Sequence, residues 1–442
     1  MTVSLSSVVC CRYVRHLLLV CYYFPPAAGG GVARALSFAK HLPKHGWRVS
    51  VVCADPDAAP LRDASRAAAL GADLNVRRVT GSRLLSRGRQ AVVGGGSTRP
   101  TGLYRLVRGF TSWFLLPDSF APWRKPAAEA ILARLGEERF DAILSSSPPD
   151  TVHLAALDAV RRHPIPWVAD FRDPWVGLSY KRPPTPWHKA RQRTLRQQVL
   201  DQADLLLSAT ETQVERLRFL LPAGASQRVQ HLPNGWEDDV PLSAAPERSG
   251  PLRIAYTGTL WDVQSTRTCL VGLHRALRGL DAKAAEAHPV ELEIVGPHES
   301  DEERLVARLG LGGVVRFAGQ IPYAEARARQ READVLLLLR VHGPGYEVAV
   351  PGKFFEYLAT GRPVLAFLGP GEAADLVRES GGWVVDPDDE SGAAKAFTRL
   401  LRGERPEGDP AARRQMADRY RRDRIAQQLA GHLDRLVARS PS

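Results

Sequence analysis

A lysine and a glutamate three residues apart open the segment of this chain richest in chemistry: Val350-Pro351-Gly352-Lys353-Phe354-Phe355-Glu356-Tyr357-Leu358-Ala359-Thr360-Gly361-Arg362-Pro363-Val364. Pro351 and Gly352 predict a helix start, Gly361 a left-handed C-terminal cap, and Pro363 a stop. Lys353 and Glu356 then share the first turn, where a cation suits phosphate and a carboxylate suits paired ribose hydroxyls. The alternative is a glutamate reaching back to free backbone N–H groups, beside a solvated lysine. A second feature is the loop Pro25-Pro26-Ala27-Ala28-Gly29-Gly30-Gly31, followed by Val32, Ala35, Leu36, Ala39 and Leu42 at helical spacing. Gly29, Gly30 and Gly31 would let backbone N–H groups approach a phosphate at a helix N-terminus, or simply make a tight turn. Arg34 stands where a dinucleotide fingerprint needs its third glycine, which argues against a nicotinamide or flavin enzyme. Asp170 and Asp173 follow a predicted strand, at the end where open α/β sheets place ligands, although an ion pair with Arg172 would serve structure alone. Asp55-Pro56-Asp57 and Asp386-Pro387-Asp388 imitate an Asp-x-Asp metal motif, but both follow strands and contain proline, which predicts loop and cap roles. The histidines lack ligand spacing. No metal and no cofactor are expected.

The elements that must hold these residues alternate short apolar runs with amphipathic stretches, the pattern of parallel sheets covered by helices. Strands are predicted at Leu17–Cys21, Arg48–Cys53, Ala142–Leu144, Trp167–Ala169, Leu205–Ser208 and Val229–Leu232. After a Pro- and Ser-containing stretch the pattern restarts at Leu252–Tyr256, then Leu292–Val295, Val314–Phe317, Val335–Leu339, Val364–Ala366 and Trp383–Val385. The fold class is therefore α/β, two doubly wound Rossmann-like domains over residues 14–238 and 250–410, which the family resemblance given below implies face a cleft. Residues 80–102, with Gly94-Gly95-Gly96, read as a mobile loop. Residues 103–124 set Trp113, Phe114 and Trp123 among Arg105, Arg108, Arg124 and Lys125, which suits either a membrane-interface helix or a core helix with a basic outer face.

The composition narrows the class. A chain of 442 residues with 44% hydrophobic content supports two cores. Val8 to Phe24 is interrupted by Arg12, Arg15 and His16, so no spanning helix or leader is expected there. The five cysteines contain no Cys-x-x-Cys pair, which disfavours zinc and disulfide frameworks and fits a reducing cytoplasm. The net charge of +12 is mostly scattered arginine, a pattern that suits phosphorylated ligands or an anionic membrane face better than nucleic acid, the alternative being plain solvated surface.

At the Lys353–Glu356 segment the sequence resembles glycosyltransferase family 4, the retaining enzymes of GT-B fold. Tyr22-Tyr23-Phe24-Pro25-Pro26 is similar to the family's first-strand loop, and His231-Leu232-Pro233-Asn234-Gly235 to the turn closing its N-terminal domain. Tyr256-Thr257-Gly258-Thr259-Leu260, Ile294-Val295-Gly296 and Val315-Arg316-Phe317-Ala318-Gly319 look like its donor-domain strands. Ala169-Asp170-Phe171-Arg172-Asp173-Pro174-Trp175 and Ser145-Ser146-Ser147-Pro148-Pro149 resemble the branch that builds surface polysaccharides or glycosylates secondary products. The resemblance implies a nucleotide-sugar donor, a UDP-sugar ahead of a GDP-sugar, held in the C-terminal domain. A polysaccharide-precursor, lipid-linked or small-molecule acceptor would sit in the N-terminal domain. It further implies that Glu356 holds the ribose, that Gly258 and the Gly29–Gly31 loop pass close to the diphosphate, and that Lys353 neutralises it. The leaving phosphate would help deprotonate the acceptor in a front-face reaction. From their place after a predicted strand, Asp170 or Asp173 is expected to orient or activate the acceptor hydroxyl. A last helical stretch from about 411 to 439 would cross back onto the N-terminal domain. The chain departs from the family at two points. The first glutamate of its spaced pair falls on Val348, one residue from Glu347, and the basic positions after the first donor-domain strand hold Thr259 and Gln264. Arg267 and Arg340 are the candidate substitutes, and a catalytically degenerate donor-binding subunit is the alternative reading.

Overall fold

The computed structural model describes residues 14–27, 31–56, 74–81, 113–178, 183–237, 250–260, 265–280 and 289–439. Gly29, Gly30, Gln264, Asp57 and residues 82–112, which include most of the loop and helix expected over 80–124, lie outside them. Among the described residues the N-terminal domain has strands β1 (Arg15–Cys21), β2 (Trp47–Ala54), β3 (Asn75–Val79), β4 (Ala142–Ser147), β5 (Trp167–Phe171), β6 (Leu205–Ser208) and β7 (Val229–His231). They pair in parallel in the order β3-β2-β1-β4-β5-β6-β7. Among the described residues, helices α1 (Val32–His41), α2 (Arg124–Glu137), α3 (Thr151–Arg162), α4 (Pro186–Gln202) and α5 (Glu211–Phe219) belong to this domain.

Both faces of this sheet are covered, which is why its central strands read as unbroken apolar runs. Leu18, Val20 and Ile143 point to one core with Val152, Leu195 and Val199 of the helices. Leu17, Leu19 and Leu144 point to the other, with Phe38 of α1. The sequence reading missed β3, because its residues Asn-Val-Arg-Arg-Val carry no apolar run and only Val79 is buried. It is an edge strand, where charged side chains block further pairing.

The C-terminal domain repeats the plan with β8 (Leu252–Thr257), β9 (Val290–Val295), β10 (Val315–Gly319), β11 (Val335–Leu339), β12 (Val364–Phe367) and β13 (Trp383–Val385), in the order β10-β9-β8-β11-β12-β13. Its helices among the described residues are α6 (Arg267–Arg278), α7 (Ser300–Arg308), α8 (Tyr323–Glu332), α9 (Gly352–Thr360), α10 (Glu372–Glu379) and α11 (Glu390–Leu401). Gly361 caps α9 with φ +70°, its N–H bonded to Leu358 O at 3.1 Å.

The chain's last stretch forms two helices rather than one, α12 (Pro410–Arg419) and α13 (Arg422–Arg439). Met416 and Ala417 of α12 stay in the C-terminal core, while Ile425, Leu429 and Leu433 of α13 pack in the N-terminal core. The break occurs where the backbone is claimed by the other crossing segment. Trp236 N–H donates to Tyr420 O at 3.0 Å and Arg422 N–H to Trp236 O at 3.1 Å. Gly235 must be glycine here, since a Cβ would lie 2.1 Å from Tyr420 O. Glu237 anchors the same junction, accepting from Lys40 at 2.7 Å and from His41 at 2.6 Å.

Candidate functional site

In each sheet the chain reverses its winding between two neighbouring strands, β1 and β4 in the first and β8 and β11 in the second. Crevices beyond the carboxyl ends of such strands are where open α/β sheets bind ligands. Gly258 follows β8 and Arg340 follows β11, so both stand at the second crevice.

Gly258 has φ +136°, a conformation that favours glycine, and its N–H donates to Val295 O at 2.8 Å. A Cβ there would lie 2.3 Å from Lys353 Nζ. The helix α9 therefore delivers its lysine onto the Gly258 backbone. Lys353 Nζ donates to Tyr256 Oη at 2.7 Å and lies 4.0 Å from the centre of the Tyr256 ring. Tyr256 Oη in turn donates to Thr259 O at 2.9 Å. Burial and then the nearby Arg340 charge hold the Lys353 ammonium down to about 7, with Glu356 partly opposing them.

Glu356 sits one turn on, half-buried. Its carboxylate accepts from Tyr323 Oη at 2.9 Å and from Gln330 Nε2 at 3.3 Å. Gln330 Nε2 also donates to Thr257 Oγ1 at 2.8 Å. Arg340 is directed by the loop before α9, donating to Ala349 O at 2.7 Å and stacking over Tyr346. Arg267 is exposed at the first position of α6. Lys353, Glu356, Gly258 and Arg340 thus converge on one edge of the C-terminal sheet. The positioning groups Tyr256, Tyr323 and Gln330 escaped the sequence reading, because each is remote in sequence from the residue it serves.

The two expected acceptor-side aspartates differ in exposure. Asp170 is fully buried and receives Arg34 in a two-pronged ion pair at 2.7 and 2.8 Å, with Ser146 Oγ at 2.7 Å. Arg34 also donates to Leu232 O at 2.9 Å and Pro233 O at 2.7 Å. Asp170 therefore ties α1, β5 and the Pro233-Asn234-Gly235 turn together, and its partner is Arg34 rather than Arg172. Asp173 is half-buried and does pair with Arg172, at 3.2 Å. The loop that carries it meets the C-terminal domain, where a Cβ on Gly345 would lie 2.7 Å from Gly177 O. Gly31 packs against Tyr23 at the start of α1.

Further contacts join the domains beside the crevice. Thr210 Oγ1 donates to Val348 O at 2.7 Å, and Glu372 accepts from Thr212 N–H and Oγ1, each at 3.0 Å. Val348 is buried, while the neighbouring Glu347 pairs with Arg216 at 2.7 Å. Elsewhere on the sheet edge, Asp386 meets the His342 imidazole at 2.9 Å and accepts from Asp388 N–H at 2.9 Å. His342, Asp386 and Asp388 form an exposed group that could hold a cation. A concavity of about 500 Å³ lies at the opposite, amino-terminal ends of the strands. The charges lining it, including Arg253 with Glu291 and Arg329 with Glu293, compensate one another.

Residues 29–235 match the glycosyl transferase 4-like domain family, and residues 252–403 match the glycosyl transferases group 1 family. A GDP-mannose-dependent α-(1-6)-phosphatidylinositol monomannoside mannosyltransferase of Mycolicibacterium smegmatis is 29% identical over 196 residues, 42% of this chain and 50% of the relative. The chain spans 36% to 50% of the length of the curated relatives it matches. The Anabaena protein Alr3699/HepE, solved in complex with UDP, superposes with a TM-score of 0.63 at 16% identity, covering 95% of this chain and 100% of that one. WaaG, a glycosyltransferase involved in lipopolysaccharide biosynthesis, superposes with a TM-score of 0.57 at 15% identity, over 94% and 99% of the two chains. With a glycosyl transferase domain family matched in each half of the chain and a parallel sheet in each, the chain has the GT-B fold and carries two glycosyl transferase family domains.

Proposed function

We propose that this chain transfers a sugar from a nucleoside-diphosphate donor, UDP ahead of GDP, with retention of configuration in the manner of family 4. The observation that carries this reading is the Lys353 ammonium held against the Gly258 backbone at the switch point of the C-terminal sheet. Departure of a nucleoside diphosphate from an anomeric carbon builds negative charge. A fixed cation and backbone N–H dipoles in a dry crevice stabilise that charge without a metal. Glu356 would take the ribose hydroxyls, a role supported by the hydrogen bonds from Tyr323 and Gln330 that fix its carboxylate. On the acceptor side Asp173, being half-buried rather than sealed, is the aspartate that can meet a hydroxyl. HepE, a protein of similar fold, is known with UDP-glucose bound, which agrees with a UDP-sugar donor.

For the acceptor we favour one held at a membrane. Trp113, Phe114 and Trp187 are 54%, 70% and 64% exposed, and the His188 imidazole packs edge-on between the two tryptophans. On α4 the exposed Lys189, Arg191 and Arg193 follow Trp187. Aromatic side chains beside cations suit an anionic lipid surface. No helix among the described residues is long and apolar enough to cross a membrane.

The second reading, a donor-binding subunit without turnover, is favoured by Thr259 at a position that would be basic in family 4. A thermal-shift screen against UDP, GDP, ADP, dTDP and NAD, followed by release of label from radiolabelled nucleotide sugars, separates the readings. A ligand at a hundredfold excess over its dissociation constant stabilises by roughly 2.7 kcal/mol. Stabilisation with turnover supports the transferase, and stabilisation without turnover supports the subunit. A response to NAD alone would overturn both.

A further inference from the structure

Lys353 reaches the crevice from α9 rather than from the loop after β8. That loop offers Thr259, whose carbonyl is already committed to Tyr256 Oη. By donating to Thr259 O, the Tyr256 hydroxyl turns its lone pairs toward Lys353 Nζ, while its ring supplies a π face beneath the same nitrogen. Tyr256 is itself 0% exposed, packed within the C-terminal core. The lysine is thus fixed between a buried aromatic and a glycine that leaves it room.

Resting on the donor-site reading above, we propose that Tyr256 is a positioning residue for Lys353, and that a nucleoside diphosphate engages this lysine with uptake of a proton from solvent. The seat works for either protonation state, since ammonium and amine both carry an N–H to donate to Tyr256. The charged and titratable groups around it are Arg340 from the β11–α9 loop, Glu356 from α9 and Tyr256 from β8, with Tyr357 and Glu302 of α7 behind Tyr256. Burial and Arg340 disfavour the ammonium in the empty crevice, which places its titration at about 7. A diphosphate laid against Lys353 adds negative charge and restores preference for the ammonium. Donor affinity should therefore be full below pH 7. It should fall as pH rises above the empty-state value, by at most about tenfold per pH unit.

The test is calorimetric titration of the full chain with UDP at pH 8, in Tris and in HEPES, whose ionisation heats differ. At that pH the terminal phosphate of UDP, with a pKa of about 6, is already ionised. The expected result is net uptake of roughly half to one proton, abolished in Lys353→Met together with a loss of affinity of about tenfold or more. Tyr256→Phe keeps the ring and removes the oxygen. It should weaken UDP binding about three- to tenfold in the parent chain, and leave it unchanged in the Lys353→Met background. Equal heats in both buffers would overturn the proton coupling. Equal weakening by Tyr256→Phe in both backgrounds would overturn the positioning role. If neither UDP nor any other nucleoside diphosphate binds, the donor-site reading falls instead.

Discussion

Asp170→Ala separates a catalytic from an architectural aspartate. The carboxylate is fully buried and shares two hydrogen bonds with Arg34, itself 5% exposed, and a third with Ser146. Removing it leaves the guanidinium inside the fold with the carbonyls of Leu232 and Pro233 but no counter-charge. An uncompensated charge in such a site costs about 3–5 kcal/mol. At about 2–4 °C per kcal/mol for a domain of this size, the N-terminal domain should melt roughly 6–20 °C lower. Arg34→Met alone should cost a similar amount, and Asp170→Ala with Arg34→Met should recover much of it, because no unpaired charge remains buried. The assay is urea unfolding of the four proteins, followed by intrinsic fluorescence, with donor turnover measured in parallel at low temperature. An Asp170→Ala protein destabilised by less than about 1 kcal/mol but devoid of turnover would refute the structural account and return Asp170 to the reacting atoms.

Other perturbations test the remaining parts of the reading. Glu356→Ala should leave the fold intact and remove most donor turnover, and normal turnover in a folded variant would release Glu356 from the ribose. Gly258→Ala places a Cβ at 2.3 Å from Lys353 Nζ on a backbone of φ +136°. It should weaken UDP binding by about tenfold and cost roughly 1–3 kcal/mol of stability, and a neutral outcome would deny the close approach. For Glu237, burial alone would push the carboxyl up, yet hydrogen bonds from His41 and Lys40 and the Arg422 charge bring it down to about 2. Its contribution, at most about 3 kcal/mol, is present above the unfolded value of 4.5 and fades as pH falls toward 2. Glu237→Gln should therefore flatten the acid-unfolding curve in that window, and an unchanged curve would remove Glu237 from the junction's energetics. Turnover should survive excess EDTA. A loss restored by a divalent cation would bring the His342, Asp386 and Asp388 group into the chemistry.

Much of the fold was legible because buried parallel strands announce themselves. Leu17-Leu18-Leu19-Val20 and Val335-Leu336-Leu337-Leu338-Leu339 are apolar on both faces, and the Pro351 to Pro363 segment carries its own start, cap and stop. The edge strand Asn75–Val79 was invisible for the converse reason, since an edge needs little burial and tolerates Arg77 and Arg78. Sequence spacing also put Lys353 and Glu356 on one turn, which follows from helix geometry alone.

Other relations depended on residues distant in the chain. Arg34 read as a defect in a glycine fingerprint, and the fold made it the partner of Asp170, 136 residues away. Tyr256 read as an ordinary strand residue, yet it seats Lys353 from 97 positions upstream. The terminal stretch read as one helix, and the hydrogen bonds of Trp236 divided it at the crossing. Periodicity, caps and glycines act over a few residues, so the sequence alone determined the buried strands, most of the helices, their alternation and the division into two sheets. Ion pairs and hydrogen bonds act through a few ångströms of space, so the tertiary structure alone decided which aspartate is sealed, which lysine is poised and where the domains are joined.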